Sequence, residues 1–367
     1  MLKNTELKSV AFYLPQFHPT SLNDSLWGPG FSEWRNVVRA RPLFEGHFQP
    51  KMPGKMGFYD LRSADVLQDQ ADLARQFGID AFCFYYYRFG SQRALDRPIE
   101  IFLENSQIDV GFFYCWANES WTRAWDGKSD DVMLAQSYGD EAFSGLLADL
   151  LVAMRDPRYF RISGRPVFMI YQLDQIPEAS EFVRKLRRDL KAGLGEEVTI
   201  GCTFSPRFSA SMLEYIDFVV QFPPHRLPRP PGKRILISPE KVQPFDPSRD
   251  DYFEGYDDVL EASLNPENWP DKLYLGVTPD WDNSARRPRN AHIIVGSTPD
   301  KFQAWVGKAA AITRERFTSG LIEEPILFVN AWNEWAEGAI LEPSELYGDA
   351  YARAFLEGIR ARFPSAG

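Results

Sequence analysis

Cysteine and histidine are scarce: three and four among 367 residues. Cys83, Cys115 and Cys202 lie far apart, each inside an apolar run, which argues against a disulfide framework and predicts buried free thiols. His18, His47, His225 and His292 show no metal-ligand spacing, so no metal is expected. No GxxxxGK[ST], GxGxxG or serine nucleophile elbow occurs, and no cofactor is expected. There is no long basic run, and the net charge is −10, which speaks against nucleic acid or an anionic membrane as partner. No apolar stretch approaches the roughly 18 residues of a transmembrane segment. The N-terminal "MLKNTELKSVAFYLPQ" lacks the uninterrupted apolar segment of a signal peptide, so a cytoplasmic protein is expected.

Aromatic residues, by contrast, are abundant, at 14% of the chain, within a hydrophobic fraction of 44%. Eight short apolar runs do not alternate with polar residues, as expected of strands buried on both faces. They are 9–16, 79–87, 109–118, 165–172, 197–206, 216–223, 273–283 and 325–335. Helical periodicity separates most of them. It is clearest in 140–155, where Phe143, Leu146, Leu147, Leu150, Leu151 and Met154 fall on one face. Weaker versions occur at 62–76, 178–191, 299–317 and 349–363. Ser297 or Thr298 offers an N-cap, with Pro299 just inside the helix.

Strands alternating with helices predict an α/β fold, and eight units predict a single (β/α)8 TIM barrel over residues 1–367. An open doubly wound sheet is the alternative, because "RFSASMLEY" between the fifth and sixth strands is short for a crossover helix. The long irregular segments 17–61, 119–139, 224–250, 284–298 and 336–348 all follow strands. In a barrel that puts them on the C-terminal face, where such folds build active sites. The Pro-rich 223–233 reads as a loop within the same domain.

Polar and aromatic residues gather at those strand ends. The first strand closes with Tyr13, Gln16 and His18, and the second with Tyr85-Tyr86-Tyr87. Trp116, Asn118 and Glu119 end the third, followed by Trp121 and Trp125. Tyr171 ends the fourth, Trp281-Asp282-Asn283 the seventh, and Trp332-Asn333-Glu334-Trp335 the eighth. Any one of these has a bland explanation in packing or surface. Their convergence on one barrel mouth favours a site for a sugar, whose C–H face stacks on aromatic rings and whose hydroxyls bond carboxylates and amides. Cleaving a glycosidic bond needs a proton donor and a base or anion, which two carboxylates supply. Trp332 and Trp335 could raise the pKa of Glu337 or Glu334 by burying it. Asp280-Trp281-Asp282 also matches the Asp-x-Asp with which some glycosyltransferases hold a metal and a nucleotide sugar.

Six stretches carry a resemblance: "AFYLPQFHP", "WGPGFSEWRNVVRARPLFEGHFQP", "GFYDLR", "CWANESWTRAWDG", "WDNSARR" and "NAWNEWAEGAILEP". Together they resemble the WbsX-like family, linked to lipopolysaccharide and O-antigen synthesis and related to the endo-α-mannosidases of glycoside hydrolase family 99. The resemblance implies a (β/α)8 barrel acting with retention on an α-linked, mannoside-like glycan. It further implies Glu334 as base on the sugar 2-hydroxyl, Glu337 as acid/base, and a 1,2-anhydro sugar intermediate. Two positions depart from the family's pattern. Tyr86 stands where a sugar-contacting His is usual, and Ala336 where the hydrolases carry a His. The partner implied is an oligosaccharide or polysaccharide. Glycosyl transfer in polysaccharide assembly is the alternative activity, and a non-catalytic sugar-binding barrel the third reading.

Overall fold

The computed structural model describes residues 6–123, 128–205, 207–225 and 242–361. Its main sheet holds eight consecutive parallel strands: β1 Lys8–Tyr13, β2 Ala81–Phe89, β3 Gly111–Trp116, β4 Arg165–Ile170, β5 Thr199–Thr203, β6 Phe218–Val220, β7 and β8 Ile326–Val329. β7 is broken into Leu273–Tyr274, which pairs with β6, and Gly276–Val277, which pairs with β8. The two edges of the sheet therefore meet in one strand, and the barrel closes. At the break Gly276 is required, because a Cβ there would lie 2.2 Å from the Gln221 carbonyl oxygen. This is the closed (β/α)8 arrangement expected, rather than an open sheet.

Alternation along the strands sorts side chains between the barrel interior and the helix layer. Phe12 points inward, its ring 4.8 Å from Phe222 and 6.0 Å from Phe328. Its neighbour Tyr13 points outward, between Phe82 and Phe84. Cys83, Cys115 and Cys202 are buried free thiols, as expected from their apolar surroundings.

The helical periods map onto Ala64–Gln76, Asp140–Ala153, Ala179–Leu194, Pro299–Thr318 and Ala350–Arg360. In Ala179–Leu194 the buried Phe182, Val183, Leu186 and Leu190 form the stripe that docks on the barrel. Thr298 caps Pro299–Thr318 by accepting from the Lys301 N–H. Arg97–Glu104 and Tyr256–Leu264 are helices that the apolar periodicity did not reveal. Between β5 and β6 only a 3₁₀ turn, Ala210–Glu214, makes the crossover. The parallel pair is thus connected without an α-helix.

The loops after the strands hold structure of their own. The segment after β1 forms helices Ser21–Trp27 and Trp34–Arg39. The segment after β3 folds back as a hairpin of Trp121–Arg123 with Lys128–Leu134. His292–Val295 pairs with Tyr252–Gly255 in a small separate sheet. The seventh apolar run was expected to be one strand over 273–283. It stops at Val277 because the chain then turns to form the rim of the site. Most of the Pro-rich 223–233 lies outside the described residues. Among the described residues no helix is long and apolar enough to cross a membrane.

Candidate active site

After β8 the chain makes a very tight reversal. Asn333–Glu334 pairs antiparallel with Ala339–Ile340, and Trp335–Glu337 forms the 3₁₀ turn between them. Side chains three residues apart nearly eclipse in such a turn, so Glu334 and Glu337 project the same way. Gly338 closes the turn at φ +70, where a Cβ would press on Asp282 at 3.0 Å. The Glu337 carbonyl accepts from the Asp282 N–H at 2.7 Å, tying the turn to the loop after β7. Asn333 holds the other side: its amide brackets Leu14, accepting from the N–H at 2.7 Å and donating to the carbonyl at 3.0 Å.

Both glutamates meet one guanidinium. Arg286 Nη2 lies 3.0 Å from Glu334 Oε2, Nη1 2.7 Å from Glu337 Oε1, and Nε 2.9 Å from Glu33 Oε1. Burial works against the guanidinium's charge, but Glu33, Glu337 and Glu334 override it and hold its pKa well above normal. One cation cannot neutralise three carboxylates. Burial pushes Glu334 up to about 8, Glu337 and Glu33 push the same way, and Arg286 opposes them.

Arg286, Glu334 and Glu337 line a cavity of about 270 Å³ at the C-terminal ends of the strands, with Glu33 buried behind it. Gln16, Glu119, Tyr171, Glu334 and Glu337 line it, and all five were singled out in the sequence. Tyr85, Tyr87, Trp27, Trp121, Phe222, His225 and Arg286 complete much of the wall. The rings interlock, with Tyr87 against Trp121 at 5.6 Å and Tyr171 against Phe222 at 5.5 Å.

Most of the other singled-out residues that the structure describes lie off the cavity, each for a visible reason. Tyr13 faces outward, and its hydroxyl donates to Gln70 at 2.6 Å. Tyr86 also faces outward, bonding Asp149 and receiving Arg88 Nε at 2.8 Å. Strand parity corrects the choice of Tyr86: its neighbours Tyr85 and Tyr87 are the inward pair. Trp116 packs between barrel and helix, stacked on Phe182, its Nε1 donating to the Arg88 carbonyl. Asn118 is consumed in joining the β3 and β4 ends, through Gln172 and Tyr138. His18 is buried away from the cavity, and burial lowers its pKa to about 4, so it is neutral. Trp332 packs on Phe82 in the outer layer, and Asn333 is the Leu14 clamp already described. Trp281 backs His225 at 4.3 Å. Trp125 lies outside the described residues.

Two further expectations are revised. The indoles of Trp332 and Trp335 are not what surrounds Glu334. Trp335 Nε1 instead donates to the buried Glu342 at 2.8 Å, which also accepts from Tyr59 at 2.8 Å and Gln70 at 2.5 Å. Glu334 sits instead among Tyr85, Tyr87 and Arg286 on the cavity wall. The Asp-x-Asp carboxylates are engaged as well. Asp282 Oδ2 accepts from His47 at 2.7 Å and Gln49 at 2.5 Å, and Asp280 pairs with Lys51 at 2.5 Å. Burial opposes the charge on Asp282, but His47 and Lys51 prevail and bring it down to about 2. Among the described residues no group of three or more His, Cys, Asp or Glu could hold a metal ion.

Arg286 and Glu33 were not chosen from the sequence as site residues. Both lie inside motifs that carried the resemblance, "WDNSARR" and "GFSEWRNVV", and a buried Arg that must answer two glutamates is the signal they offered.

A family model described as "Glycosyltransferase WbsX" matches residues 9–355. The chain belongs to the glycosyltransferase WbsX family. It is also 37% identical over 351 residues to "Uncharacterized protein WxcX" of Xanthomonas campestris pv. campestris, strain B100. That match takes in 94% of this chain and 48% of the relative, so the chain spans about half the length of the curated relatives it matches. A solved "Glycoside hydrolase-like protein" superposes with TM-score 0.60 at 16% identity, covering 99% of this chain and 96% of that one. The GH99 endo-alpha-mannosidase from Bacteroides thetaiotaomicron superposes with TM-score 0.54 at 11% identity, covering 95% of each chain. At such identities the likeness is one of fold, the (β/α)8 barrel of GH99. Family and fold agree on one architecture, the barrel that the strands of this chain build.

Proposed function

We propose that the barrel cleaves or transfers an α-linked, mannoside-like glycan with retention, using Glu334 and Glu337. The observation that carries this reading is the pair of carboxylates on neighbouring nitrogens of Arg286, under an aromatic wall at the barrel mouth. In the first step Glu334 takes the proton of the sugar 2-hydroxyl while that oxygen bonds to C1. Glu337 protonates the departing glycosidic oxygen as its bond to C1 breaks, leaving a 1,2-anhydro sugar. In the second step Glu337 deprotonates the incoming hydroxyl, which attacks C1 as the C1–O2 bond breaks, and Glu334 returns its proton to O2. A general base works best with a pKa near the working pH, and the upward shift of Glu334 moves it that way.

Water as the incoming hydroxyl gives hydrolysis, and a sugar hydroxyl gives transfer. The family's description favours transfer, and the same two glutamates serve either. A metal-dependent transfer centred on Asp280 and Asp282 is disfavoured, because Lys51 pairs with Oδ2 of Asp280, and His47 and Gln49 bond Oδ2 of Asp282.

The test compares glycans with poor and activated leaving groups. Each acid or base group contributes about 10²–10⁴-fold. Glu337→Gln is expected to lose that much on the poor leaving group and recover partly on the activated one. Glu334→Gln stays impaired on both, since the 2-hydroxyl still needs a base. A 2-deoxy glycan should bind without turning over. Normal turnover of the 2-deoxy glycan would remove the 1,2-anhydro route, and oligosaccharide binding with no turnover by the unmutated protein would favour a sugar-binding barrel.

A further inference from the structure

The catalytic cavity opens sideways. Trp27 and Arg286 line it and also line a second groove, of about 420 Å³, between the helix Trp34–Arg39 and the loop after β7. The groove is strongly basic: Arg35, Arg39, Arg41, Arg249 and Arg287 line it beside Arg286, and no carboxylate does among its described lining residues. This concentration is unusual in a chain of net charge −10.

Two of the six are neutralised, Arg249 by Asp251 and Arg286 by the three glutamates. Arg35 donates to the carbonyls of Trp27 and Pro29, and Arg41 to those of Val38 and Ala40, none of which carries net charge. Arg39 and Arg287 have no carboxylate partner among the described residues. Arg35 and Arg39 stand four apart on one short helix, a spacing at which like charges repel. The fold thus gathers unanswered guanidinium groups beside Trp27 and Phe31, at the side of the catalytic cavity.

We infer that this groove is a subsite for an acidic sugar, one bearing a carboxylate or phosphoryl group, within the glycan whose neighbouring unit lies over Glu334 and Glu337. Guanidinium forks bind either anion in a bidentate manner, and Trp27, backed by the buried Phe31 at 5.8 Å, brings an aromatic ring to the groove. A neutral glycan would leave Arg35, Arg39, Arg41 and Arg287 lining the groove with no carboxylate partner among the described residues. The inference rests on the glycan reading of the cavity, and extends it from the bond cleaved to the class of substrate.

The test is calorimetric binding to the Glu337→Gln protein, so that turnover plays no part. The probes are glucuronate, mannose 6-phosphate, inorganic phosphate and neutral mannose. At low salt at least one acidic sugar should bind about tenfold or more tightly than mannose, a gap that two removed charges would abolish. The advantage should fade in 1 M salt, where the Debye length is about 3 Å. Adding Arg39→Gln and Arg287→Gln should erase it and leave mannose binding as it was, in a protein whose circular dichroism is unchanged. Equal binding of acidic and neutral sugars overturns the inference, as does an acidic advantage that survives both substitutions. Inorganic phosphate binding as tightly as the sugar phosphate also overturns it, in favour of a free-anion site. Inactivity of the unmutated protein on every glycan would count against the catalytic proposal alone, because this readout measures binding.

Discussion

Removing Arg286 is the sharpest perturbation of the site's electrostatics. Arg286→Gln deletes three charge-assisted contacts, at 2.7, 2.9 and 3.0 Å, from a side chain only 11% exposed. Glu33 and Glu334, with side chains 0% and 5% exposed, are left without their countercharge. Removing one partner of a buried ion pair typically destabilises by about 3–5 kcal/mol. With an unfolding entropy of about 2.1 cal/mol/K per residue, a chain of 367 residues loses about 4–6 °C of melting temperature. The loss should depend on pH, with a definite sign. Without Arg286 the buried carboxylates keep protons in the folded state that the unfolded chain releases near its ordinary carboxylate pKa. Each such proton costs about 1.4 kcal/mol per pH unit above that value. Melting curves from pH 5 to pH 8 should therefore separate progressively from those of the unmutated protein, staying close at pH 5. The companion Glu33→Gln/Arg286→Gln should regain part of the loss, since it removes one of the stranded charges. A pH-independent deficit, or none, would refute the role of Arg286 as the countercharge of Glu33, Glu334 and Glu337.

The shifted groups lead to two more expectations. Burial raises the folded pKa of Glu334 to about 8 from an ordinary value of 4.5. Its contribution to stability is thus complete below the unfolded value and lost as pH rises through the folded one. If it is the base, kcat/KM should climb over the same range, and a pH profile flat from 5 to 8 would contradict that role. Tyr59→Phe takes one of three donors from buried Glu342, which burial already raises to about 7. It should destabilise by about 1–3 kcal/mol in urea melts, more at pH 8 than at pH 5, and an unchanged midpoint would show that the Glu342 network does not brace the turn.

Much of the architecture was legible in the chain. Continuous apolar runs mark strands covered on both faces, and the spacing of Phe182, Val183, Leu186 and Leu190 marks a helix with one face to bury. Long segments after the strands marked one end of the barrel as the elaborated one. Gln16, Glu119, Tyr171, Glu334 and Glu337 were singled out as polar or aromatic residues gathered near strand ends, and all five line the cavity. The helices Arg97–Glu104 and Tyr256–Leu264 escaped because short helices present too few apolar positions for a period to stand out.

What tertiary structure alone decided is which way each side chain points and what meets it. In Tyr85-Tyr86-Tyr87 the residue types are identical, and only the parity of β2 in the closed barrel turns the first and third toward the cavity and the second toward Asp149. Trp332 and Trp335 resemble a sugar platform in the sequence, but the tight turn after β8 sends them into the core and leaves the glutamates to the cavity. Arg286 stands 253 residues from Glu33 and 48 from Glu334, so their meeting depends on barrel closure, which brings the loops after β1, β7 and β8 side by side. Sequence periodicity is a local signal, set by neighbours along the chain. The countercharge at the centre of this site is a long-range one, set by where the strands end in space.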